Sequence, residues 1–124
     1  MSTLNVSNIT DGTTTVGTSY VVNGSAKALF LYDQTTNTVN DSENVSSITD
    51  NSTGSFSVSF SNSFSSANIF AGTSTGNGIA LADGARVCSV NYRTASSIDC
   101  GVRSTASTIQ DTEGNSGALL GDLA

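Results

Sequence analysis

The residue types that carry enzyme chemistry are sparse in this chain. It contains 22 serines but no histidine, so a serine nucleophile has no imidazole base to activate it. A Ser-Lys arrangement would depend on Lys27, and no nucleophile motif surrounds that residue. We interpret Lys27 as a strand-edge lysine that discourages edge-to-edge pairing of sheets. We therefore expect no catalytic residue and no enzyme.

Acidic residues offer a second kind of chemistry, because a pair of carboxylates can hydrolyse a glycosidic bond. The candidates are Asp33, Asp41, Glu43, Asp50, Asp83, Asp99, Asp111 and Glu113. Most of them stand among turn-forming residues, where an Asp side chain accepts hydrogen bonds from backbone amides, and we favour that structural role.

A calcium loop is the alternative for residues 111–115, Asp-Thr-Glu-Gly-Asn, because oxygen-bearing side chains recur there at every second residue. The run lacks the fuller calcium-loop pattern and its distal Glu. A solvated acidic loop is the favoured interpretation.

A saccharide-binding face would need exposed aromatic rings beside hydrogen-bonding side chains. The tyrosines, Tyr20, Tyr32 and Tyr92, are few, and their positions in the sequence predict placement in the core. The sequence therefore nominates no saccharide site.

Cys88 and Cys100 are the only cysteines. A zinc site needs four nitrogen or sulfur ligands, which two cysteines without a histidine do not supply. The thiols could face each other across a hairpin and form a disulfide. Because residues 1–5 carry no signal-peptide pattern, a reduced and packed pair is favoured. We expect no metal and no cofactor.

Composition and charge bound the class of protein. Ser, Thr, Asn and Gly account for 63 of the 124 residues, yet Val, Leu, Ile and Phe still number 28, and the net charge is only −6. This balance predicts one folded domain with a thin core rather than a disordered chain. Four basic residues in an acidic chain argue against nucleic acid and anionic membranes as partners. No apolar run approaches the ~20 residues of a membrane span.

The elements that would position these residues are strands. Residues 55–61, Ser-Phe-Ser-Val-Ser-Phe-Ser, alternate without a break and predict a half-buried strand, which residues 44–54 turn into a hairpin. Further strands are predicted from the apolar residues near 26–32, 68–71, 79–82, 87–92 and 98–102. The pattern predicts an all-β fold, an antiparallel sandwich or jelly-roll-like barrel. We expect no full helix, one helical turn at most over 64–67, and either a short helix or a last strand over 117–120.

Two segments are predicted to make contacts beyond the domain. The strand near 26–32 is apolar almost throughout, which is typical of a strand covered on both faces or by a neighbouring subunit. Its predicted subunit-interface residues are Ala26, Ala28, Leu29, Phe30, Leu31 and Tyr32. Residues 1–19 are predicted to form a short extended arm that anchors a single β-domain over 20–124. The predicted anchoring residues are Leu4, Val6, Ile9 and Val16.

Residues 22–28, Val-Asn-Gly-Ser-Ala-Lys-Ala, and the hairpin over 44–60 carry a resemblance to a known group of proteins. Together, over roughly residues 20–72, they resemble small β-rich proteins and fibre domains of tailed bacteriophages, many of marine hosts, that are described as tail-fibre-like. This chain differs from them by Leu29 in place of a common Trp and by a longer loop over 33–40.

The resemblance implies a component of a phage particle, made in the bacterial cytoplasm and displayed on the virion surface. A chain with one compact head and one arm favours a capsid decoration protein bound to the major capsid protein. The alternative is a tail-fibre or baseplate tip that binds a host surface receptor or glycan. Trimers are common in both groups, so we expect a homotrimer. A secreted adhesin or ice-binding module stands outside both, but the sustained repeats of such modules are absent from the sequence.

Overall fold

A computed structural model describes residues 2–76, 86–104 and 108–124 of the chain. In these ranges the backbone forms ten strands and one short helix. The elements are β1 (Asn8–Thr10), β2 (Thr15–Gly17), α1 (Thr18–Gly24), β3 (Ala28–Asp33), β4 (Thr38–Glu43), β5 (Val45–Ser52), β6 (Ser55–Phe60), β7 (Phe70–Ser74), β8 (Arg86–Arg93), β9 (Ser97–Ser104) and β10 (Asn115–Leu120).

Eight of these strands form two antiparallel sheets that pack face to face. The first sheet has the order β4-β3-β10-β7, and the second has the order β5-β6-β9-β8. Phe30 of the first sheet meets Phe56 of the second edge to face, with ring centroids 6.0 Å apart, and Tyr32 lies 5.1 Å from the same ring. The prediction of an all-β antiparallel sandwich is confirmed.

The core between the sheets follows the alternation of the sequence. Phe56, Val58 and Phe60 of β6 point inward and are buried, whereas the serines between them lie on the other face. The turn that leads into β6 depends on Gly54, whose φ is +65° and whose missing side chain leaves room for the Val102 carbonyl oxygen. The predicted hairpin over 44–60 is thus present as β5 and β6.

The helix α1 departs from the expectation that the chain has no full helix. It is seven residues long, its N-cap Gly17 makes no side-chain hydrogen bond, and it contains the β-branched pair Val21 and Val22. Such a segment has low intrinsic helix propensity and is too short to show a helical period. The Lys27 ammonium donates to the Val22 carbonyl and, at 3.1 Å, to the Ser25 carbonyl, so Lys27 caps the helix rather than guarding a sheet edge.

Three further predictions can be compared with the backbone. Residues 117–120 form the last strand β10, the second of the two predicted alternatives, and β10 lies between β3 and β7 in the first sheet. Residues 64–67 form no helical turn, because Phe64 is buried against Phe60 and pairs with Leu123 in an isolated bridge. The predicted strand over 79–82 lies outside the described residues.

No helix in the described ranges is long and apolar enough to cross a membrane.

Candidate binding surfaces

The side chains of the predicted subunit-interface strand point alternately to the two faces of the first sheet. Ala28, Phe30 and Tyr32 of β3 are at most 3% exposed and lie in the core of the sandwich. Leu29 and Leu31 point to the opposite side and are 44% and 40% exposed. The prediction that Ala28, Phe30 and Tyr32 contact another subunit is therefore wrong, because the second sheet of the same chain already covers them. Ala26 precedes β3 and is exposed.

Leu29 and Leu31 belong to a groove across the outer face of the first sheet, which we call the outer groove. Strand register builds it from two rows of side chains that cross all four strands. One row is Glu43, Leu29, Ala118 and Gly72, and the other is Asp41, Leu31, Ser116 and Ser74. The groove has a volume of about 650 Å³.

The outer groove combines an aliphatic floor with a rim of negative charge. Leu29 and Leu31 are flanked by small residues on β10 and β7, which keep the floor open, while Asp41 and Glu43 stand on the edge strand β4. Phe70, at the start of β7, is 72% exposed near one end of this face. Contiguous exposed apolar surface rimmed by polar groups is typical of an interaction site.

The outer face of the second sheet has a different character. The Asn51 side-chain amide donates to the Ser57 hydroxyl at 2.7 Å, and that hydroxyl donates to the Asp99 carboxylate at 2.7 Å. Other positions on this face are mostly serine and threonine, among them Ser47, Thr49, Ser59 and Ser97. The part of this face formed by β5, β6 and the start of β9 is thus suited to water or hydroxylated ligands, whereas the outer groove is suited to apolar contact.

Tyr92 stands beside that polar face, next to Asp99 in the ladder between β8 and β9. Its side chain is 62% exposed. The prediction of a core position is therefore wrong for Tyr92, whereas Tyr32 is fully buried. A bulge between Val90 and Tyr92 shifts the register of β8 and breaks the alternation on which that prediction depends.

The N-terminal segment before the sandwich presents its aliphatic side chains to solvent. The predicted anchoring residues Leu4, Val6, Ile9 and Val16 are 84%, 40%, 47% and 37% exposed. Val21 and Val22 on α1 are exposed as well and were missed by the sequence reasoning, because the helix itself was not predicted. We call residues 2–24 the N-terminal segment.

The N-terminal segment is nonetheless ordered by its own hydrogen bonds. Strands β1 and β2 form a hairpin whose turn is closed by Asp11, with the Thr14 and Thr13 amides donating to its carboxylate at 2.7 and 2.9 Å. These amides lower the pKa of Asp11 below its ordinary 3.8. Thr18 donates back to the Val6 and Ser7 carbonyls. The predicted arm is therefore a hairpin followed by a helix, and α1 runs across the predicted boundary at residue 19.

Three of the four oxygen-bearing side chains in the candidate calcium run over 111–115, all but the exposed Glu113, are hydrogen-bonded within the chain. Asp111 accepts a 2.6 Å hydrogen bond from the Gly54 amide. Thr112 and Asn115 are fully buried and are joined by a 2.6 Å bond between hydroxyl and side-chain carbonyl, with the Thr75 hydroxyl 2.7 Å from that of Thr112. The favoured solvated loop is thus wrong for Thr112 and Asn115, which tie the loop to the sandwich. Among the described residues, no three His, Cys, Asp or Glu side chains gather as a metal site.

The other candidate carboxylates lie in several parts of the fold. Asp33 closes the turn between β3 and β4, Asp50 accepts from Gln34, and Asp99 accepts from Ser57. Asp41 and Glu43 share the outer groove, whereas Asp33, Asp50 and Asp111 lie near Tyr32, whose pKa is raised by burial and then by these three carboxylates. Asp83 lies outside the described residues.

Cys88 and Cys100 meet in the core as free thiols. Cys88 pairs with Val102 and Cys100 with Val90, so both side chains point inward from neighbouring strands. The hydrogen bond with Cys88, together with burial, raises the pKa of the Cys100 thiol. The predicted packing of both cysteines in the core is confirmed, and their reduced state stays a prediction.

No protein family, curated protein or solved structure matches this chain in comparisons with known proteins.

Proposed function

We propose that this protein is a non-enzymatic structural component of a bacteriophage virion, displayed on the particle surface as a capsid decoration protein and anchored by its N-terminal segment. One observation carries the proposal. The sandwich encloses a hydrophobic core of its own, whereas the N-terminal segment folds locally, contributes no residue to that core and leaves Leu4, Val6, Ile9 and Val16 exposed. A decoration protein requires a folded domain with its own core, joined to a segment whose exposed aliphatic side chains can be buried against the capsid.

The energetics of the N-terminal segment support an anchoring role. Fully burying an aliphatic side chain contributes roughly 1.5–3 kcal/mol relative to leaving it in water. Because the segment is already held by the β1–β2 hairpin and α1, less conformational entropy is lost on docking than for a disordered arm. The resemblance of residues 20–72 to tail-fibre-like phage proteins supports the virion assignment.

A tail-fibre or baseplate tip that binds a host glycan is the second candidate, and the outer face of the second sheet favours it. There the exposed Tyr92 ring stands next to Asp99, which shares a hydrogen bond with Ser57. An aromatic ring beside carboxylate and hydroxyl oxygens is suited to stacking on a sugar ring and bonding its hydroxyls.

The copy number in the particle tests the virion role and separates the two candidates. Quantitative mass spectrometry of purified virions is expected to find the protein in numbers comparable to those of the major capsid protein. A few copies per particle would favour the fibre tip instead. Absence from washed virions would refute both.

The anchoring role is tested by binding of the purified protein to particles that lack it. Deletion of residues 2–15, or the double variant Leu4→Ser and Ile9→Ser, is expected to abolish cosedimentation with the particles. Val39→Ser is the matched control, because Val39 is 43% exposed like these residues but lies on the sandwich. Binding that survives the deletion would show that the anchor lies elsewhere.

We further propose that the protein forms a homotrimer through the outer groove. Leu29 and Leu31 leave apolar surface exposed on a domain whose own core is thin, and a subunit contact would cover it. Sedimentation equilibrium at micromolar concentration is expected to show trimers for the wild type and weaker association for Leu29→Ser. A stable monomer would contradict this part of the proposal.

A further inference from the structure

The few positive charges of this chain are gathered on one part of the fold. Arg86, Arg93 and Arg103 lie on β8 and β9, and only Lys27 lies elsewhere. The chain carries a net charge of −6, so two copies repel each other unless their contact pairs opposite charges. The β8–β9 hairpin is therefore the part of the fold where acidic side chains of a second copy could meet arginines.

Arg103 stands beside an exposed aliphatic side chain. It pairs with Val87 across the ladder, and because the next pair, Cys88 and Val102, points into the core, Val87 and Arg103 share the outer face of the second sheet. Val87 is 56% exposed. Within the described part of the chain, the Arg103 guanidinium has no hydrogen-bond or ion-pair partner. We call Val87 and Arg103 the basic patch.

The outer groove has the complementary pattern. Leu29 pairs with Glu43 and Leu31 with Asp41, so each leucine stands directly beside a carboxylate on the outer face of the first sheet. The Glu43 carboxylate is exposed and, like Arg103, has no partner among the described residues. An aliphatic-carboxylate pair on one surface and an aliphatic-guanidinium pair on the other can bury apolar area while forming a charge-assisted hydrogen bond.

The two surfaces cannot meet within one molecule. Strands β4 and β5 are joined by Asn44 alone, which places both at one side of the sandwich. At the opposite side, Thr73 of β7 donates to the Cys88 carbonyl of β8 at 2.7 Å. The outer groove, near β4, and the basic patch, near β8, therefore lie on opposite faces and toward opposite sides of the domain.

We propose that the outer groove receives the basic patch of a second copy of this chain, with Leu29 against Val87 and Glu43 accepting a hydrogen bond from Arg103. This rests on the self-association part of the proposed function and specifies its contact. Because the groove and the patch are different surfaces, the interface is heterologous, and each copy uses its groove toward one neighbour and its patch toward the other. In a closed ring of three copies, every outer groove is occupied by the basic patch of a neighbouring copy.

Charge reversal in the full-length chain tests the contact by sedimentation equilibrium. Glu43→Arg and Arg103→Glu are each expected to raise the subunit dissociation constant by about tenfold or more, because like charges then face each other. The double variant, which exchanges the two charges, is expected to associate within about threefold of the wild type. Asp41→Arg is a second reversal in the same groove, and far-ultraviolet circular dichroism checks that each variant is folded.

Two controls keep the net charge matched. Glu113→Arg reverses an exposed carboxylate away from the groove, and Arg93→Glu reverses a guanidinium at the far end of the β8–β9 hairpin. Both are expected to associate like the wild type. Equal weakening by Arg93→Glu, or a double variant that stays as weak as the single ones, would overturn the contact while leaving self-association intact. A monomeric wild type would overturn both, and particle binding through the N-terminal segment would then still be judged by its own experiment.

Discussion

At the scale of single residues, the packing of the first sheet depends on the absence of a side chain at Gly117. Gly117 pairs with Phe30, and a Cβ at Gly117 would lie 2.6 Å from Cζ of the Phe30 ring. Real Cβ atoms do not approach a ring so closely, so the Phe30 ring would have to shift, which would disturb its edge-to-face contact with Phe56. The glycine is therefore a requirement of the core rather than of the backbone conformation.

We expect Gly117→Ala to lower the free energy of unfolding by about 1–3 kcal/mol, the usual cost of overpacking. Gly72→Ala is the matched control, because its new methyl group would meet only the Ala118 carbonyl oxygen at 4.0 Å. Urea denaturation at low protein concentration measures both variants. A neutral Gly117→Ala would mean that Phe30 repacks without loss.

The turn between β3 and β4 contains a carboxylate that stabilises the fold in a pH-dependent way. Hydrogen bonds from Thr35, at 2.6 and 2.8 Å, and then from Thr36 hold the pKa of Asp33 below its ordinary 3.8. Because the pKa is lower in the folded state, its contribution to stability is present above 3.8 and is lost as the pH falls through the folded value.

We expect Asp33→Asn to be less stable than the wild type at about pH 7, with the difference shrinking once the pH falls well below the ordinary pKa of an Asp. Urea unfolding at both pH values measures it. Glu113→Gln, at an exposed position, is expected to show a smaller effect at either pH. An Asp33→Asn difference that stays constant with pH would rule out the carboxylate as its source.

At the scale of elements, Gln34 links the first sheet to the β5–β6 hairpin of the second. Its side chain is 2% exposed and donates to the Asp50 carboxylate at 3.0 Å and to the Ser52 carbonyl at 3.1 Å. Its backbone amide donates to the Thr112 carbonyl at 3.0 Å, which brings in the loop before β10. Through its side-chain and backbone amides, this one buried residue thus links three segments of the chain.

We expect Gln34→Glu to lower the free energy of unfolding by at least about 2 kcal/mol at neutral pH, because a buried carboxylate would face Asp50 and two carbonyls. The buried site would raise the pKa of the new Glu, so the loss should appear as the pH rises above about 4.3 and vanish below it. Gln34→Met, which carries no charge, should show no such pH dependence. Urea unfolding between acid and neutral pH distinguishes the two.

At the scale of the whole molecule, the sandwich and the N-terminal segment are stabilised separately. The core residues all lie at or after Ala28, the first residue of β3, while β1 bonds only β2 in the sheet pairing. A chain built in this way can lose the N-terminal segment without losing the sandwich. We therefore expect the stability of the sandwich to be independent of the N-terminal segment.

We expect a chain that starts at residue 25 to keep one cooperative unfolding transition, with a urea midpoint close to that of the full chain and a slightly smaller m-value. Removal of residues 115–124 is the contrasting truncation, because β10 lies inside the first sheet and its loss separates β3 from β7. That chain should fail to fold. Circular dichroism during urea titration measures both, and loss of cooperativity in the first truncation would show that the segment belongs to the core.

The sequence by itself determined the class of fold and much of the core. Strict alternation in β6 placed Phe56, Val58 and Phe60 inside, because a strand turns successive side chains to opposite faces. The absence of histidine and the scarcity of basic residues led to the expectations of no enzyme and no nucleic-acid partner, which stay predictions.

Only the tertiary structure decided which apolar residues remain exposed. The sequence of β3 is apolar at almost every position, so it does not distinguish the face that meets the second sheet from the face that forms the outer groove. The outer groove also depends on strand pairings with β4 and β10, which are far apart in sequence, and on β7 beyond them. The positions of the charged side chains also depend on tertiary structure. Arg103 lies beside Val87, and Glu43 beside Leu29, only because of the register between neighbouring strands. The local sequence pattern shows which side chains of one strand share a face. Long-range strand pairing determines which side chains of other strands lie beside them, and a surface is formed by both.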